Sequence, residues 1–233
     1  KEFMNYQITE VDLRDKKGGH GNAPSSGVGK STILKLFAGL GDKVSFIGEL
    51  GASDGQSDGR VAMMAQSDLL LPWLSVSQNV CLGATLRGEV RDDDRVAEVL
   101  NRVELSEKSQ SKPGQLSGGQ RQRVALARTL MEDRPIVLLD EPFSALDART
   151  RAQMQELAAE VLVGRTVLLV THDPAEAARL GHVIKVMTAN GIEDVVPPTG
   201  SVPRRFDADD VLRVQAGLLA RLREDDACVQ ANI

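Results

Sequence analysis

The sequence contains little of what several functional classes require. Aromatic residues make up 3% of its 233 residues, which argues against the base-stacking surfaces of single-stranded nucleic-acid binders. Acidic residues outnumber basic ones, 33 to 28, so the basic surface typical of nucleic-acid binding is not indicated. Cys81 and Cys228 are its two cysteines, too few for a disulfide framework or a zinc site, and they fit a reducing compartment. We therefore expect no nucleic-acid partner.

Long apolar runs are also missing from the sequence. The run at residues 167–170 (VLLV) is far shorter than the roughly 20 residues that a membrane-spanning helix needs. The content of 42% hydrophobic and 26% charged residues is ordinary for a globular protein. Any association with a membrane is therefore expected to depend on a partner.

Two apolar runs indicate a layered α/β fold. Residues 136–139 (IVLL) and 167–170 (VLLV) are continuously apolar, which predicts parallel strands that are buried on both faces. Helical patterns lie between and after them. Asp140 and Glu141 follow the first run, and His172 follows the second. Because ligands bind at the carboxyl ends of parallel strands, we expect the functional site there.

Other patterns predict further elements around these two strands. Residues 60–66 are expected to form a strand that ends in the polar Gln66, and residues from about 75 to 112 are expected to be helical. A helix that ends at Gly41 is predicted from Ile33, Leu34, Phe37 and Leu40. A final helix with one apolar face is predicted from Leu212, Val214, Leu218, Leu219 and Leu222.

The adjacent acids Asp140 and Glu141 permit two interpretations. One carboxylate at a strand end can hold Mg²⁺ through water, and the second can orient an attacking water molecule. The alternative is a strand-end turn with two solvated acids. The spacing of the two residues leaves both interpretations open.

The segment at residues 116–120 (LSGGQ) is equally ambiguous. Ser117 and Gln120 have the spacing of a capping box, which alone would mark the start of a helix. Two consecutive glycines, Gly118 and Gly119, weaken a helix. They suit a place where backbone amides and the helix dipole approach an anion closely.

Residues 22–32 (NAPSSGVGKST) end like a phosphate-binding loop. The pattern G-x-x-x-x-G-K-[ST] requires glycine where this chain has Pro24, which fixes φ and removes one amide. Residues 15–23 (DKKGGHGNA) precede the loop where a buried strand is expected, and they are almost without apolar side chains. Either this region is irregular or residues 8–13 form the strand instead.

Together these motifs resemble the ATP-binding subunits of ABC transporters, in that family's order. SSGVGKST resembles the Walker A loop, LSGGQ the signature, IVLLDEP the Walker B strand, SALD the D-loop and VTHD the H-loop, and Gln66 falls at the Q-loop position. The resemblance covers residues 24–190. Residues 68–80 (DLLLPWLSVSQNV) are similar to importers of nitrate, sulfonates, taurine and thiamine-precursor pyrimidines.

The resemblance implies a P-loop NTPase (RecA-like) core with a mostly parallel sheet, an inserted α-helical subdomain and an N-terminal β-subdomain that is irregular or shortened. Residues 1–233 would form one ATPase domain, with residues 1–66 and 123–233 as the nucleotide-binding core and residues 67–122 as the helical subdomain. The implied function is ATP hydrolysis that powers solute import through a membrane permease. Two alternatives stay open: a regulatory or catalytically impaired nucleotide-binding module, and a non-transport ABC ATPase.

The resemblance also implies ligands and residue roles. ATP would be held by Ser26, Gly27, Val28, Gly29, Lys30, Ser31 and Thr32, and by Ser117, Gly118, Gly119, Gln120 and Asp147 of a second chain in a head-to-tail homodimer. Mg²⁺ would be bound by Ser31, Gln66 and Asp140. The catalytic residues would be Glu141, His172 and Gln66, and Tyr6 is the candidate for stacking on adenine. The implied partners are transmembrane permease subunits and, indirectly, a periplasmic solute-binding protein, with the chain at the cytoplasmic face of the inner membrane.

Overall fold

The computed structural model describes residues 28–40, 59–188 and 191–231, without the side chains of 28–30, 188, 191 and 224–231. The predictions for Tyr6, residues 8–13 and 15–23, Pro24, Ser26, Gly27 and Gly41 lie outside these ranges. The chain divides into two compact units, Lys1–Arg151 with Val161–Val170, and Ala152–Glu160 with Thr171–Ile233.

A parallel sheet organises the first unit. Its strands are β1 (Val61–Met64), β2 (Ile136–Asp140) and β3 (Thr166–Val170), in the order β1-β2-β3. The register pairs Met64 with Leu139 and Asp140 with Val170. The α/β fold with a parallel sheet is therefore confirmed, and the three strands end at the same edge.

The two long apolar runs differ in burial. Strand β2 is buried along its whole length, as the sequence predicts. Strand β3 is not, because Val167 and Leu168 are 40% and 39% exposed, so the expected burial on both faces is wrong there. Strand β2 lies between two neighbours, whereas β3 is an edge strand of the described sheet.

Helix α1 (Val28–Phe37) packs on this sheet. Leu34 is fully buried and contacts a cluster that contains Ile136 and Leu138. The helix ends earlier than the predicted stop at Gly41. Gly39 has a φ of 72°, a left-handed conformation that ends helices and that glycine adopts without strain. Leu40 consequently lies beyond the helix and is 64% exposed.

Several helices follow β1, as the sequence predicts. They are α2 (Val76–Val80), α3 (Leu82–Leu86), α4 (Asp93–Arg102) and α5 (Gly118–Met131), with 3₁₀ turns at Ser106–Lys108 and Pro113–Gln115. Helix α5 contacts α2, α4 and β1, and it buries Val124, Ala127 and Leu130. It therefore joins the helical segment to the sheet.

The division between the two units falls within helix α6 (Ala148–Val161). The second unit also contains α7 (Pro174–Leu180), the antiparallel pair β4 (Ile184–Thr188) and β5 (Gly191–Val195), and α8 (Asp209–Ala231). In the described ranges, none of these helices or those of the first unit has the length and apolar character needed to cross a membrane.

Helix α8 packs with a face that differs from the predicted one. Val214, Leu218 and Leu222 belong to a cluster with Ile184 and Val186, as expected. The predicted members Leu212 and Leu219 are 49% and 41% exposed, whereas Val211 is 2% exposed. Positions 211, 214, 218 and 222 follow helical spacing, and positions 212 and 219 are each one residue, about 100°, away from that face.

Two buried arginines hold the segment that leads to α8. Arg204 donates to the carbonyl oxygens of Thr199, Ala178 and Gly181 at 3.2, 3.1 and 2.9 Å. Arg179 donates to the carbonyl of Arg204 at 3.0 Å and to Gln155 at 2.7 Å. This arginine pair attaches residues 199–204 to helix α7 and its C-terminal end.

Candidate active site

The polar residues after the parallel strands lie at one edge of the sheet. Strand β2 ends at Asp140, which is paired with Val170, the last residue of β3. The backbone N–H of Glu141 donates to the carbonyl of Val170 at 2.9 Å. Gln66 follows the end of β1 by two residues. The sheet register therefore gathers residues that are far apart in the sequence.

Ser31 and Asp140 are in direct contact. The Ser31 hydroxyl donates to Oδ1 of Asp140 at 3.1 Å, across 109 positions of sequence. Ser31 lies in the first half of α1, and Asp140 is only 5% exposed. A hydroxyl beside a carboxylate supplies oxygen ligands of the kind that Mg²⁺ prefers.

Glu141 contacts Gln66 on the same edge. Gln66 Nε2 donates to Oε2 of Glu141 at 3.0 Å, and the pair is accessible to solvent. Glu141 has a φ of 46°, which costs a non-glycine residue about 1–3 kcal/mol. The Ser144 hydroxyl stabilises this turn by donating to the Glu141 carbonyl at 3.0 Å. We call Ser31, Gln66, Asp140 and Glu141 the strand-end cluster.

The LSGGQ segment begins helix α5. Gln120 N donates to the Ser117 hydroxyl at 3.2 Å, and Ser117 N donates to Oε1 of Gln120 at 2.9 Å, so the predicted capping box is present. Ser117 and Gly118 are exposed, whereas Gly119 is buried. Within the described residues, Ser117 and Gln120 bond to each other rather than to the strand-end cluster.

Asp147 caps the start of helix α6. Its Oδ1 accepts from the N–H groups of Arg149 and Thr150 at 3.1 and 3.0 Å. The Thr150 hydroxyl also hydrogen-bonds to the carboxylate, and this bond contributes most to holding the pKa of Asp147 below its usual value. The carboxylate is thus held in a charged form at the beginning of the helix.

His172 lies two residues beyond β3 in the second unit, and its side chain is exposed. Its neighbours are well fixed. Thr171 donates through its hydroxyl to Glu176 at 2.7 Å and accepts from Asp173 N at 3.0 Å. Asp173 in turn caps α7 by accepting from Ala175 N at 2.9 Å. The backbone on both sides of His172 is therefore fixed by hydrogen bonds to the first turn of α7.

The other residues of the predicted phosphate-binding loop belong to α1 or lie outside the residues that the structure describes. Val28, Gly29 and Lys30 form the first turn of α1, and Thr32, half-buried, follows in the same helix. Ser26 and Gly27 lie outside the described residues. The structure brings Ser31, Gln66, Asp140 and Glu141 together in two contacting pairs, and Ser117, Gly118, Gly119, Gln120 and Asp147 lie at the starts of α5 and α6.

Sequence reasoning missed the residues that brace the loop after Gln66. Asn79 is fully buried, and its amide bonds to both backbone groups of Leu71, with 2.8 Å to N and 3.1 Å to O. It also donates to the carbonyls of Leu74 and Ser75 at 3.3 and 3.1 Å. No residue type or spacing signals this role, because it depends on how the loop folds over α2.

Helix α5 braces the same loop from the other side. Arg121 donates to the Asp68 carboxylate at 3.0 Å, and Arg128 donates to the carbonyls of Asp68 and Leu69 at 2.7 and 3.0 Å. Burial lowers the pKa of Arg128, and the charge of Asp68 partly offsets this effect. The sequence did contain a signal for this role, because Arg121 and Arg128 are seven positions apart and therefore lie on the same side of helix α5.

Comparison with known proteins gives consistent matches. The ABC transporter family matches residues 24–144. An uncharacterised ABC transporter ATP-binding protein of Haemophilus influenzae is 42% identical, over 85% of this chain and 84% of that one. An aliphatic sulfonates import ATP-binding protein of Rhodococcus jostii is 46% identical, over 78% and 74%. A thiamine import ATP-binding protein of Cereibacter sphaeroides is 40% identical, over 76% and 80%.

Proposed function

The chain belongs to the ABC transporter family of ATP-binding proteins, and we propose that it is the ATP-hydrolysing subunit of a solute importer. ABC ATP-binding proteins are ATPases coupled to transport. Within this chain, the observation that carries the proposal is the strand-end cluster. Its two adjacent acids each contact a residue far away in the sequence, Ser31 and Gln66, which is not expected of two merely solvated acids.

The Ser31–Asp140 pair is the proposed Mg²⁺ site. One carboxylate and one hydroxyl fit a cation that is usually bound by one or two carboxylates together with the phosphates of its substrate. Mg²⁺ bound there would neutralise charge on the β- and γ-phosphates of ATP. Gln66, from the adjacent strand end, would complete the surroundings of the cation.

Glu141 is the proposed base or water-positioning residue. Phosphoryl transfer depends mainly on positioning and charge stabilisation, so the direction of this carboxylate matters. Three features support the assignment: the left-handed backbone of Glu141, its bond to Gln66 and its hydrogen bond to the end of β3. The Gln66 amide would hold the carboxylate toward the attacking water.

The other contacts to ATP are proposed from matching motif positions. Backbone amides from Gly27 to Ser31 would surround the phosphates, and Lys30 would contact the β- and γ-phosphates. The location of Val28, Gly29 and Lys30 in the first turn of α1 supports this, because helix N-termini attract anions. Thr32 would contact the α-phosphate, and His172 would hydrogen-bond to the γ-phosphate.

We propose that two copies of the chain pack head to tail. Ser117, Gly118, Gly119 and Gln120 of one copy would cover the ATP held by Lys30 of the other, and Asp147 would link the two sites. The exposure of Ser117 and Gly118 at a capped helix start supports this arrangement. A site completed only when two copies close would couple hydrolysis to movement.

The loop after Gln66 is the proposed contact with the permease. Leu69 and Trp73 are 61% and 65% exposed, although the backbone beneath them is braced by Asn79, Arg121 and Arg128. A rigid loop that exposes large apolar side chains fits a surface covered by a partner. The chain would then act at the cytoplasmic face of the membrane as one ATPase domain, with residues 67–122 as its helical subdomain.

Solute recognition is proposed to lie in the permease and in a periplasmic solute-binding protein. Two of the import proteins that are similar to this chain are named for the import of aliphatic sulfonates and of thiamine. We propose a solute of this general group of small organic and sulfur-containing compounds.

The test is phosphate release by the purified chain, measured with ATP and Mg²⁺, with ATP and EDTA, and with the permease reconstituted in vesicles. We expect hydrolysis that requires Mg²⁺ and rises with the permease. Absence of Mg²⁺-dependent hydrolysis under all conditions would contradict the proposed function.

A further inference from the structure

The two glycines of the LSGGQ segment have different surroundings. A β-carbon built on Gly118 would lie in open space, with its nearest neighbour, Arg121 Nη2, at 3.9 Å. A β-carbon built on Gly119 would overlap Cγ2 of Thr150, in the first turn of α6. The next atom it would meet is Thr150 Cβ at 3.8 Å, an ordinary contact. A single methyl group of Thr150 therefore requires glycine at position 119.

That methyl group cannot move independently. Cγ2 and the hydroxyl of Thr150 are both carried by Cβ, so a rotation about χ1 that moves one also moves the other. The hydroxyl bonds to the carboxylate of Asp147, which also accepts from the N–H groups of Arg149 and Thr150. Displacing the methyl group would consequently break the hydroxyl bond to Asp147.

We propose that Thr150 is a positioning residue that fixes the start of α5 against Asp147, the residue that caps the start of α6. Its methyl group sets the position of Gly119, and its hydroxyl sets the position of Asp147, so the two segments move together. This inference rests on the proposed function, in which both segments face the ATP of a partner copy. Gly119 is then required by a contact within its own chain, in addition to any approach to phosphate.

The first test is a double-mutant cycle in thermal unfolding without nucleotide, which does not depend on ATPase activity. We expect Gly119→Ala to lower the unfolding midpoint by at least about 2–4 °C. Thr150→Ser removes Cγ2 and keeps the hydroxyl, so in the Gly119→Ala background it should restore most of the loss. If Gly119→Ala does not fold, folding of the double variant supports the proposal, and failure of both to fold overturns it.

The second test uses ATP turnover with the same variants. Gly119→Ala should lower kcat about tenfold or more, because the start of α5 would no longer be positioned correctly over the ATP of the partner copy. The affinity for a fluorescent ATP analogue should change little. Thr150→Ser alone keeps the hydroxyl bond to Asp147, so it should lower kcat much less than Gly119→Ala does, and it should rescue Gly119→Ala. Gly118→Ala is the matched control, and Thr150→Ser should not rescue it, because no Thr150 atom lies near that position.

The outcomes separate this proposal from the proposed function. Absence of ATP hydrolysis by the unsubstituted chain would contradict the function and leave the unfolding cycle to decide the contact. Hydrolysis by the unsubstituted chain with no rescue of Gly119→Ala by Thr150→Ser would overturn the role of Thr150. Equal rescue of Gly118→Ala and Gly119→Ala would also overturn it, since a general effect on the helix start would then be responsible.

Discussion

The strand-end cluster and the start of helix α5 are built in opposite ways. Ser31 and Asp140 are separated by 109 positions of sequence, and Gln66 and Glu141 by 75. Ser117 and Gln120, in contrast, are three positions apart and satisfy each other's backbone N–H groups. The cluster depends on the sheet register and on the packing of α1 on the sheet, whereas the capping box at the helix start depends on two residues close in sequence.

The two regions also differ in what they contribute to stability. The capping box satisfies helix N–H groups and stabilises the fold. Glu141 has a left-handed backbone, which is unfavourable for a residue with a side chain. We infer that the strand-end cluster is arranged for the proposed chemistry at some cost in stability, and that the helix start is stabilised by its own cap while Ser117 stays exposed.

The largest expected effect comes from Glu141→Gln. Turnover should fall about 100-fold or more, because the variant loses the carboxylate that we propose positions the attacking water. Affinity for ATP should be retained, since the change removes a negative charge near the γ-phosphate. Phosphate release and equilibrium binding of a fluorescent nucleotide measure the two effects. Normal turnover would remove Glu141 from the reaction.

The same variant should reveal the association of two copies. We expect light scattering to show a dimer of Glu141→Gln with ATP and a monomer without it, because in the proposed arrangement ATP would join the two surfaces and would no longer be hydrolysed. Glu141→Gln with Ser117→Arg is the control, since a bulky cation at the exposed helix start should prevent closure. A monomer at saturating ATP would count against the head-to-tail arrangement.

Ser31→Ala should weaken the dependence on Mg²⁺ without unfolding the protein. The variant loses one proposed oxygen ligand, so the Mg²⁺ concentration for half-maximal hydrolysis should rise about tenfold, which corresponds to about 1.4 kcal/mol. Thr32→Ser, one position along the same helix, is the matched control and should not shift this concentration. An unchanged Mg²⁺ titration for Ser31→Ala would place the cation elsewhere.

A smaller pair of effects should have opposite signs. Ser117→Ala removes the cap of α5 and should lower the free energy of unfolding by about 1 kcal/mol. Glu141→Gly removes a side chain from a left-handed position and should raise it by about 1 kcal/mol. Urea unfolding measures both. Equal signs for the two variants would contradict the difference between the regions.

The sequence predicted the helix start more completely than the cluster. The spacing of Ser117 and Gln120 was enough for the capping box, and the apolar run before Asp140 was enough for the strand end. The contact between Ser31 and Asp140 required the packing of α1 on β2, which no local pattern encodes. The contact between Gly119 and Thr150 was missed for the same reason.

The errors in the predicted fold have similar causes. An apolar run such as residues 167–170 indicates a strand, but it does not distinguish a central strand from an edge strand, and β3 is partly exposed. The five apolar residues of the final helix spread over two faces, so their number did not reveal that Val211, rather than Leu212, faces the core. Gly41 was predicted as the helix stop, whereas the left-handed backbone at Gly39 follows the last helical residues.

The arginine pair, Arg179 and Arg204, has a consequence for limited proteolysis. Arg204 is 6% exposed, whereas the side chain of its neighbour Arg205 is 82% exposed, so trypsin should cleave after Arg205 and spare Arg204. The cut would leave α8 on a separate fragment. That fragment would still bury Val211 and Leu218, and Arg204 would still hold the new end of the other fragment. The second unit is therefore a candidate for fragment complementation, in which two separately made pieces assemble into one fold.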